Sequence, residues 1–169
     1  MAMRDKKWYA IKVKFRSEKL VMAQLANKGI EAYTPMRPIV RRYARKLVRR
    51  NLPIFSTYVF VHIDYKDYVR VLETEYVYGF VKIGRQLEPV KESEMSLIRR
   101  IEGLGIDYTT TEIDFKAGQK VRINNGTLLG MEGIVRQIKS KGKMIVHFES
   151  FGIALMIEIN KNQLEAIAS

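Results

Sequence analysis

The 169-residue chain contains no cysteine. Disulfides, thiolate metal sites and cysteine nucleophiles are therefore excluded. Histidine is nearly absent too: only His62 and His147 occur, and neither has metal-ligand spacing or a carboxylate cluster around it. Nowhere does the sequence assemble a nucleophile, a base and an orienting group, which argues against an enzyme and against a bound cofactor or metal. Long apolar runs are missing as well. The first residues, Met1-Ala2-Met3-Arg4-Asp5-Lys6-Lys7, have no apolar stretch behind their charges, and no run approaches a membrane span. A soluble cytoplasmic protein, with no membrane partner and monomeric, is the expectation. Acid is also scarce. Against 30 Lys and Arg stand 18 Asp and Glu, leaving a net charge of +12.

With 47% hydrophobic and 28% charged residues, the chain is globular and not disordered. Its length allows one domain or two small ones, and either can bury a core. A cationic excess of this size is most often matched to nucleic acid, although a basic ribosome-associated or membrane-surface protein would show the same sum.

The most informative stretch is Pro53 to Ile63. At a strand period of two, Val59, Val61 and Ile63 face one way and Tyr58, Phe60 and His62 the other. The first set is core material. Two rings and an imidazole on the second face call either for a covering layer or for a docking partner. Just upstream, Arg37, Arg41, Arg42, Arg45, Lys46, Arg49 and Arg50 form a basic run with no acid among them. Arginine forks phosphate in two places where lysine acts as a point charge, and Tyr43 inside the run could stack on a base. Composition does not choose among a helix, a hairpin tip and a loop for this run.

Around it, Trp8 to Phe15 alternates as a first strand, with Tyr9, Ile11 and Val13 on one face and Trp8, Ala10 and Lys12 on the other. Ser17 is placed to cap a helix from about Glu18, with Val21 and Leu25 inward and Gly29 as its left-handed exit. Ile30 to Thr34 is a short strand. After the anchor strand, Asp64 is an N-cap, and Tyr65, Tyr68, Val69 and Leu72 predict an amphipathic helix. Val77 to Ile83 is another strand, and Ser93 caps a third helix with a stripe of Leu97, Ile98, Ile101 and Leu104. The order β-α-β-β-α-β-α predicts an α+β first domain, one antiparallel sheet with helices, over residues 1–107.

Composition shifts between Gly105 and Asp114, where Thr109-Thr110-Thr111-Glu112 is polar. Residues 108–116 are expected to be a linker. Beyond it short alternating runs recur, punctuated by Asn125-Gly126, Lys141-Gly142 and Phe151-Gly152, which predicts a small five-stranded β-barrel over 117–169. Gly126, Gly130 and Gly133 fit neither a dinucleotide fingerprint nor a P-loop and are assigned to turns and a bulge. Residues 1–107 hold 22 Lys and Arg against 12 Asp and Glu, while 108–169 hold 8 against 6. The nucleic-acid signal belongs to the first part.

These residues resemble a known family. Trp8-Tyr9-Ala10-Ile11 opening a strand, the helix after it, and Phe55-Ser56-Thr57-Tyr58-Val59-Phe60-Val61 look like the N-terminal (NGN) domain of NusG-type transcription elongation factors, with Ser56-Thr57 where the family's usual form has Pro-Gly. Phe115 to Gly126, continued by Gly130-Met131-Glu132-Gly133-Ile134-Val135, looks like the KOW motif that opens the family's SH3-like C-terminal barrel. The short, basic form is most similar to the specialised RfaH and UpxY types, the latter acting on capsule polysaccharide operons.

The resemblance implies a transcription elongation or antitermination factor. An exposed aromatic cavity would bind the clamp helices of RNA polymerase's largest subunit, with Phe55, Tyr58 and Phe60 at the matching positions and Trp8 beside them. The cations Arg41, Arg42, Arg45, Lys46, Arg49 and Arg50 would face upstream or non-template DNA. In the barrel, the family's Phe-Gly-Arg partner turn is matched by Phe151, Gly152 and Ile153; the missing Arg argues against Rho or a small-subunit ribosomal protein as its partner. Alternating Val and Ile runs predict a stable barrel with no refolding into helix. The competing reading is a KOW-containing, ribosome-associated RNA-binding protein.

Overall fold

In a computed structural model, residues 5–102, 108–112, 119–126, 129–136, 142–159 and 163–167 are described. The chain divides into two compact units, Met1–Gly103 and Leu104–Ser169.

The first unit is built on a four-stranded antiparallel sheet in the order β2-β5-β1-β6. β1 (Lys7–Val13) lies between β5 (Tyr58–Ile63) and β6 (Val77–Phe80), and β2 (Glu31–Tyr33) forms one edge. One face of the sheet buries Ile11, Val13, Val59, Val61 and Ile63 against Val21 and Leu25 of α1 (Glu18–Asn27), Ile30, and Val71 of α2 (Tyr68–Leu72). Each such aliphatic side chain removed from water contributes roughly 1.5–3 kcal/mol, so this cluster is what fixes the strand register. The opposite face carries α3 (Glu92–Ile101), whose buried stripe is Met95, Ile98 and Ile101.

Helix α1 ends as its sequence predicts. Gly29 takes φ 72°, Gly29 N–H donates to Ala26 O at 2.9 Å, and Ile30 N–H donates to Leu25 O at 2.9 Å, a Schellman closure. Its start differs, because Ser17 occupies the N-cap position without a side-chain cap bond. α3 likewise begins two residues earlier than predicted, with Lys91 and not Ser93 at its N-cap, and Leu104 lies outside the described residues.

The second helix departs further from its sequence pattern. Asp64 does cap it, its Oδ1 accepting from Lys66 N–H at 2.9 Å, but Tyr65–Asp67 form a 3-10 turn before α2 begins. Three residues per turn in place of 3.6 rotates the later positions out of the expected stripe. Tyr65, Val69 and Leu72 end up exposed, and Val71 is the residue that enters the core. β6 stops at Phe80; Ile83 belongs to a separate bridge with Gln86.

The basic run is a β-hairpin. β3 (Met36–Tyr43) pairs residue for residue with β4 (Lys46–Pro53), from Met36 opposite Pro53 to Tyr43 opposite Lys46, as a two-stranded sheet of its own.

The second unit is a six-stranded antiparallel sheet in the order β12-β8-β9-β10-β11-β7. Its strands are β7 (Tyr108–Glu112), β8 (Gln119–Ile123), β9 (Glu132–Arg136), β10 (Gly142–Phe148), β11 (Ile153–Ile159) and β12 (Leu164–Ala166). The strand count is six where five were expected, because Tyr108–Glu112, expected in a linker, pairs along β11 from Tyr108 opposite Ile157 to Glu112 opposite Ile153. Three consecutive threonines suit a strand, and the apolar edge of β11 would otherwise lie open. The remainder of the expected linker, 113–116, lies outside the described residues. Gly126 and Gly130 sit in turns at φ 83° and 86°. The core of this unit includes Val121, Ile123, Val146, Phe148, Leu155 and Ile157.

A candidate binding surface on one strand and one hairpin

β4 runs into β5 through Ile54-Phe55-Ser56-Thr57, so the hairpin and the aromatic strand are one continuous segment. The connection is a bend, not a strand. Thr57 takes φ 70°, and alternation is broken, which puts Phe55 on the same side as Phe60 with their rings edge to face at 6.1 Å. The expected exposure of this pair is corrected by the structure: Phe55 is 1% and Phe60 0% exposed. Burying two rings on the α3 side supplies a second apolar layer, which an open cavity would forfeit. Tyr58, one residue past the bend, remains partly open, directly opposite Lys12, whose Nζ lies 5.8 Å from the ring centroid. A cavity of about 300 Å³ does exist in this unit, but on the other face of the sheet, lined by Tyr9, Ile63, Asp64, Tyr65, Tyr68, Val69 and Leu87.

Trp8 is brought beside the anchor strand, opposite His62, and the two rings stack at 4.8 Å. It too is buried, at 5% exposure, under the Arg99 guanidinium, which sits 5.4 Å over the Trp8 ring and 5.7 Å over Tyr33. His62 itself is held between Glu31 Oε2 at 2.8 Å from Nδ1 and Lys6 O at 3.2 Å from Nε2. Glu102, at the end of α3, accepts from the Tyr33 hydroxyl and, at 3.0 Å, from Met36 N–H at the root of the hairpin. Burial, and then the Glu102 carboxylate, raise the Tyr33 phenol above its ordinary value, so it stays a neutral donor. Sequence reasoning missed Tyr33, Arg99 and Glu102. They meet across 66 to 69 positions, which no local pattern reports.

The hairpin presents its cations on both sides. Residues opposite one another share a face, so Arg37, Arg41, Lys46 and Arg50 lie on one side with Ile39, Tyr43, Val48 and Leu52. Each row of that face pairs one cation with one apolar residue, and the cation alternates between strands at steps of about 6.8 Å, two residues of strand rise. The other side carries Arg42 and Arg49 with Val40 and Leu47, and Arg45 is in the turn. Arg41, Arg42, Arg45, Lys46, Arg49 and Arg50 are all exposed, and none has a carboxylate within ion-pair distance among the described residues. Val40, Tyr43 and Leu47 are more than half exposed. In the second unit the cation Arg122 is already used: its Nη2 lies 2.6 Å from Glu132 Oε1 across β8 and β9.

The Phe151-Gly152-Ile153 turn faces inward. Phe151 stacks on Phe148 at 5.3 Å and is 2% exposed, Ile153 is 7% exposed, and only Gly152, at φ 70°, turns the chain at the surface. The side chains expected to meet a partner there belong to the core of the unit.

Among the described residues no group of three or more His, Asp or Glu side chains could hold a metal ion, and no helix is long and apolar enough to cross a membrane. What the arrangement offers is contact: exposed cations on a ribbon joined to an aromatic strand. These are the features of a basic α+β binding protein with two compact units. Residues 6–99 match the NusG family model, described as transcription termination factor nusG, and the chain belongs to that family. It is 25% identical over 180 residues to the transcription termination/antitermination protein NusG of Neisseria meningitidis, covering 96% of this chain and 99% of that one. To the Staphylococcus epidermidis protein of the same name it is 26% identical over 179 residues, covering 96% of each. The solved Thermotoga maritima NusG, studied for its domain interaction, superimposes with a TM-score of 0.56 at 27% identity, over 96% of this chain and 98% of that one. The chain is a NusG-like transcription termination/antitermination factor, and the family is one of transcription factors, not enzymes.

Proposed function

We propose that this chain binds the clamp helices of RNA polymerase's largest subunit through β5 and its neighbours, and bridges the DNA cleft so that pausing or termination is suppressed. In this reading Tyr58 and Lys12 are the accessible contacts, while Phe55, Phe60 and Trp8 form the buried platform that holds them. Binding would favour the closed clamp by population shift, with no chemical step. The hairpin cations Arg41, Arg42, Arg45, Lys46, Arg49 and Arg50 would reach upstream or non-template DNA. The observation that carries the proposal is the continuity of the segment: an acid-free, solvent-exposed cationic ribbon leads directly into the partly open aromatic strand of a NusG-family domain. One binding event would then place the ribbon beside the nucleic acid that polymerase holds.

The second unit points away from general coupling to Rho or the ribosome, since its matching turn lacks the Arg and buries both flanking side chains. Operon-specific use, of the capsule polysaccharide kind, fits that departure. The direct test is capture of purified core RNA polymerase on the immobilised full chain. Wild type is expected to bind and Tyr58→Ala to lose at least tenfold in affinity, with an unchanged circular dichroism spectrum. Co-sedimentation with ribosomes in place of polymerase binding would overturn the proposal.

A further inference from the structure

Three residues other than glycine adopt left-handed backbone in the described chain: Arg16 at φ 63°, Thr57 at 70° and Tyr76 at 69°. They belong to three different loops, β1–α1, β4–β5 and α2–β6, which meet at one end of the first sheet. Hydrogen bonds sew them together. Val13 N–H donates to Thr57 O at 2.9 Å, and Lys14 N–H donates to Tyr76 O at 2.9 Å, so the last residue of β1 and the one after it tie down the left-handed residue on either side. Thr57 is the most strained of the three, because a β-branched side chain tolerates positive φ least. It is also the one with a dedicated partner. Its N–H donates to Glu18 Oε1 at 2.8 Å, and Glu18 is 3% exposed. A carboxylate buried this deeply needs such a donor, and here the donor is the strained residue that immediately precedes Tyr58.

We infer that Glu18 is a positioning residue: its buried carboxylate holds Thr57 in left-handed backbone and so fixes the direction in which Tyr58 leaves the sheet. The inference rests on the reading of Tyr58 as a polymerase contact. A glycine at position 57 would reach the same φ without help, so the dependence on Glu18 is a consequence of having threonine there. Glu18→Gln keeps an acceptor oxygen in place, whereas Glu18→Ala removes it.

The test measures the affinity of core RNA polymerase for the full chain, with the backbone chemical shifts of Thr57 and Tyr58 recorded alongside. Glu18→Ala is expected to weaken binding about tenfold and to move the Thr57 shifts out of left-handed values, while Glu18→Gln stays near wild type. In a Thr57→Gly background the same Glu18→Ala change is expected to cost little, which a merely structural carboxylate would not predict. Left-handed Thr57 shifts in Glu18→Ala would overturn the geometric claim. So would an equal loss from Glu18→Ala in both backgrounds, since Glu18 would then act elsewhere. Wild-type affinity of Glu18→Ala beside a loss in Tyr58→Ala would overturn its functional role. Wild-type affinity of both variants would refute the polymerase reading of the strand itself, and the Tyr58→Ala control tells that failure apart from the others.

Discussion

Two neighbouring rings on β5 carry opposite consequences. Phe60 is fully buried and packs edge to face on Phe55, so Phe60→Ala leaves a cavity and is expected to destabilise the first unit by about 3–5 kcal/mol. Tyr58 is partly open, and Tyr58→Ala is expected to cost about 1 kcal/mol or less while removing the proposed contact. Urea denaturation followed by tryptophan fluorescence separates them, since the one tryptophan, Trp8, lies on the same face. Comparable losses of stability from both would mean that Tyr58 is a core residue. The period-two pattern already assigned both rings to one face; it could not report that Phe60 is fully buried while Tyr58 stays partly open. Nor could it report Arg99 over Trp8 or Glu102 at the root of the hairpin, both of which come from far along the chain.

His147 makes a separate prediction in the second unit. Burial holds its imidazole below the ordinary value of 6.5, opposed in part by Glu149. The unfolded chain therefore binds a proton that the folded unit resists, so stability is full above pH 6.5 and falls as pH drops below it. Between pH 7 and pH 5 the urea midpoint of this unit, followed by the Phe148 amide signal, is expected to fall. His147→Gln is expected to flatten that slope, and a wild-type slope in the variant would place the titrating group elsewhere.

At the scale of elements, the sheet strands were legible because β-branched and aromatic residues alternate there with one buried set. The hairpin was not, because its apolar residues are exposed on both faces and give no single inward side to detect. Its register became visible only as cross-strand rows, six of the eight holding a cation and an apolar residue. The helix after β5 misled for a related reason: a 3-10 start changes the period just where the pattern is read. For the hairpin the consequence is measurable. Each cation on phosphate contributes ~0.9 to the salt slope on duplex DNA, so four contacts give a slope of about −4. Arg45→Glu, Lys46→Glu and Arg49→Glu together are expected to weaken binding to a 20-base-pair duplex and reduce the slope by about 3. The exposed tip positions should leave the thermal midpoint within a few degrees of wild type. An unchanged slope would mean that the ribbon is solvated and makes no contact.

For the whole molecule the question is which unit carries the cationic function. Residues 1–103 hold 22 Lys and Arg against 11 Asp and Glu, whereas residues 104–169 hold 8 against 7. The second unit is thus near neutrality, and Arg122 there is committed to Glu132. Each unit also has its own buried cluster, Ile11 to Val71 in the first and Val121 to Ile157 in the second, so each has the means to fold alone. We expect residues 1–103, produced separately, to keep the full chain's DNA affinity and salt slope, because the hairpin and its Glu102 root are all within it. Residues 104–169 are expected to fold as a β-sheet unit and to show no binding to the same duplex at 150 mM salt. The measurement is fluorescence anisotropy of a labelled duplex titrated with each unit over a range of salt. Should 104–169 bind with a slope like that of the full chain, the charge division would be the wrong guide, and the assignment of nucleic-acid contact to the ribbon would fall with it.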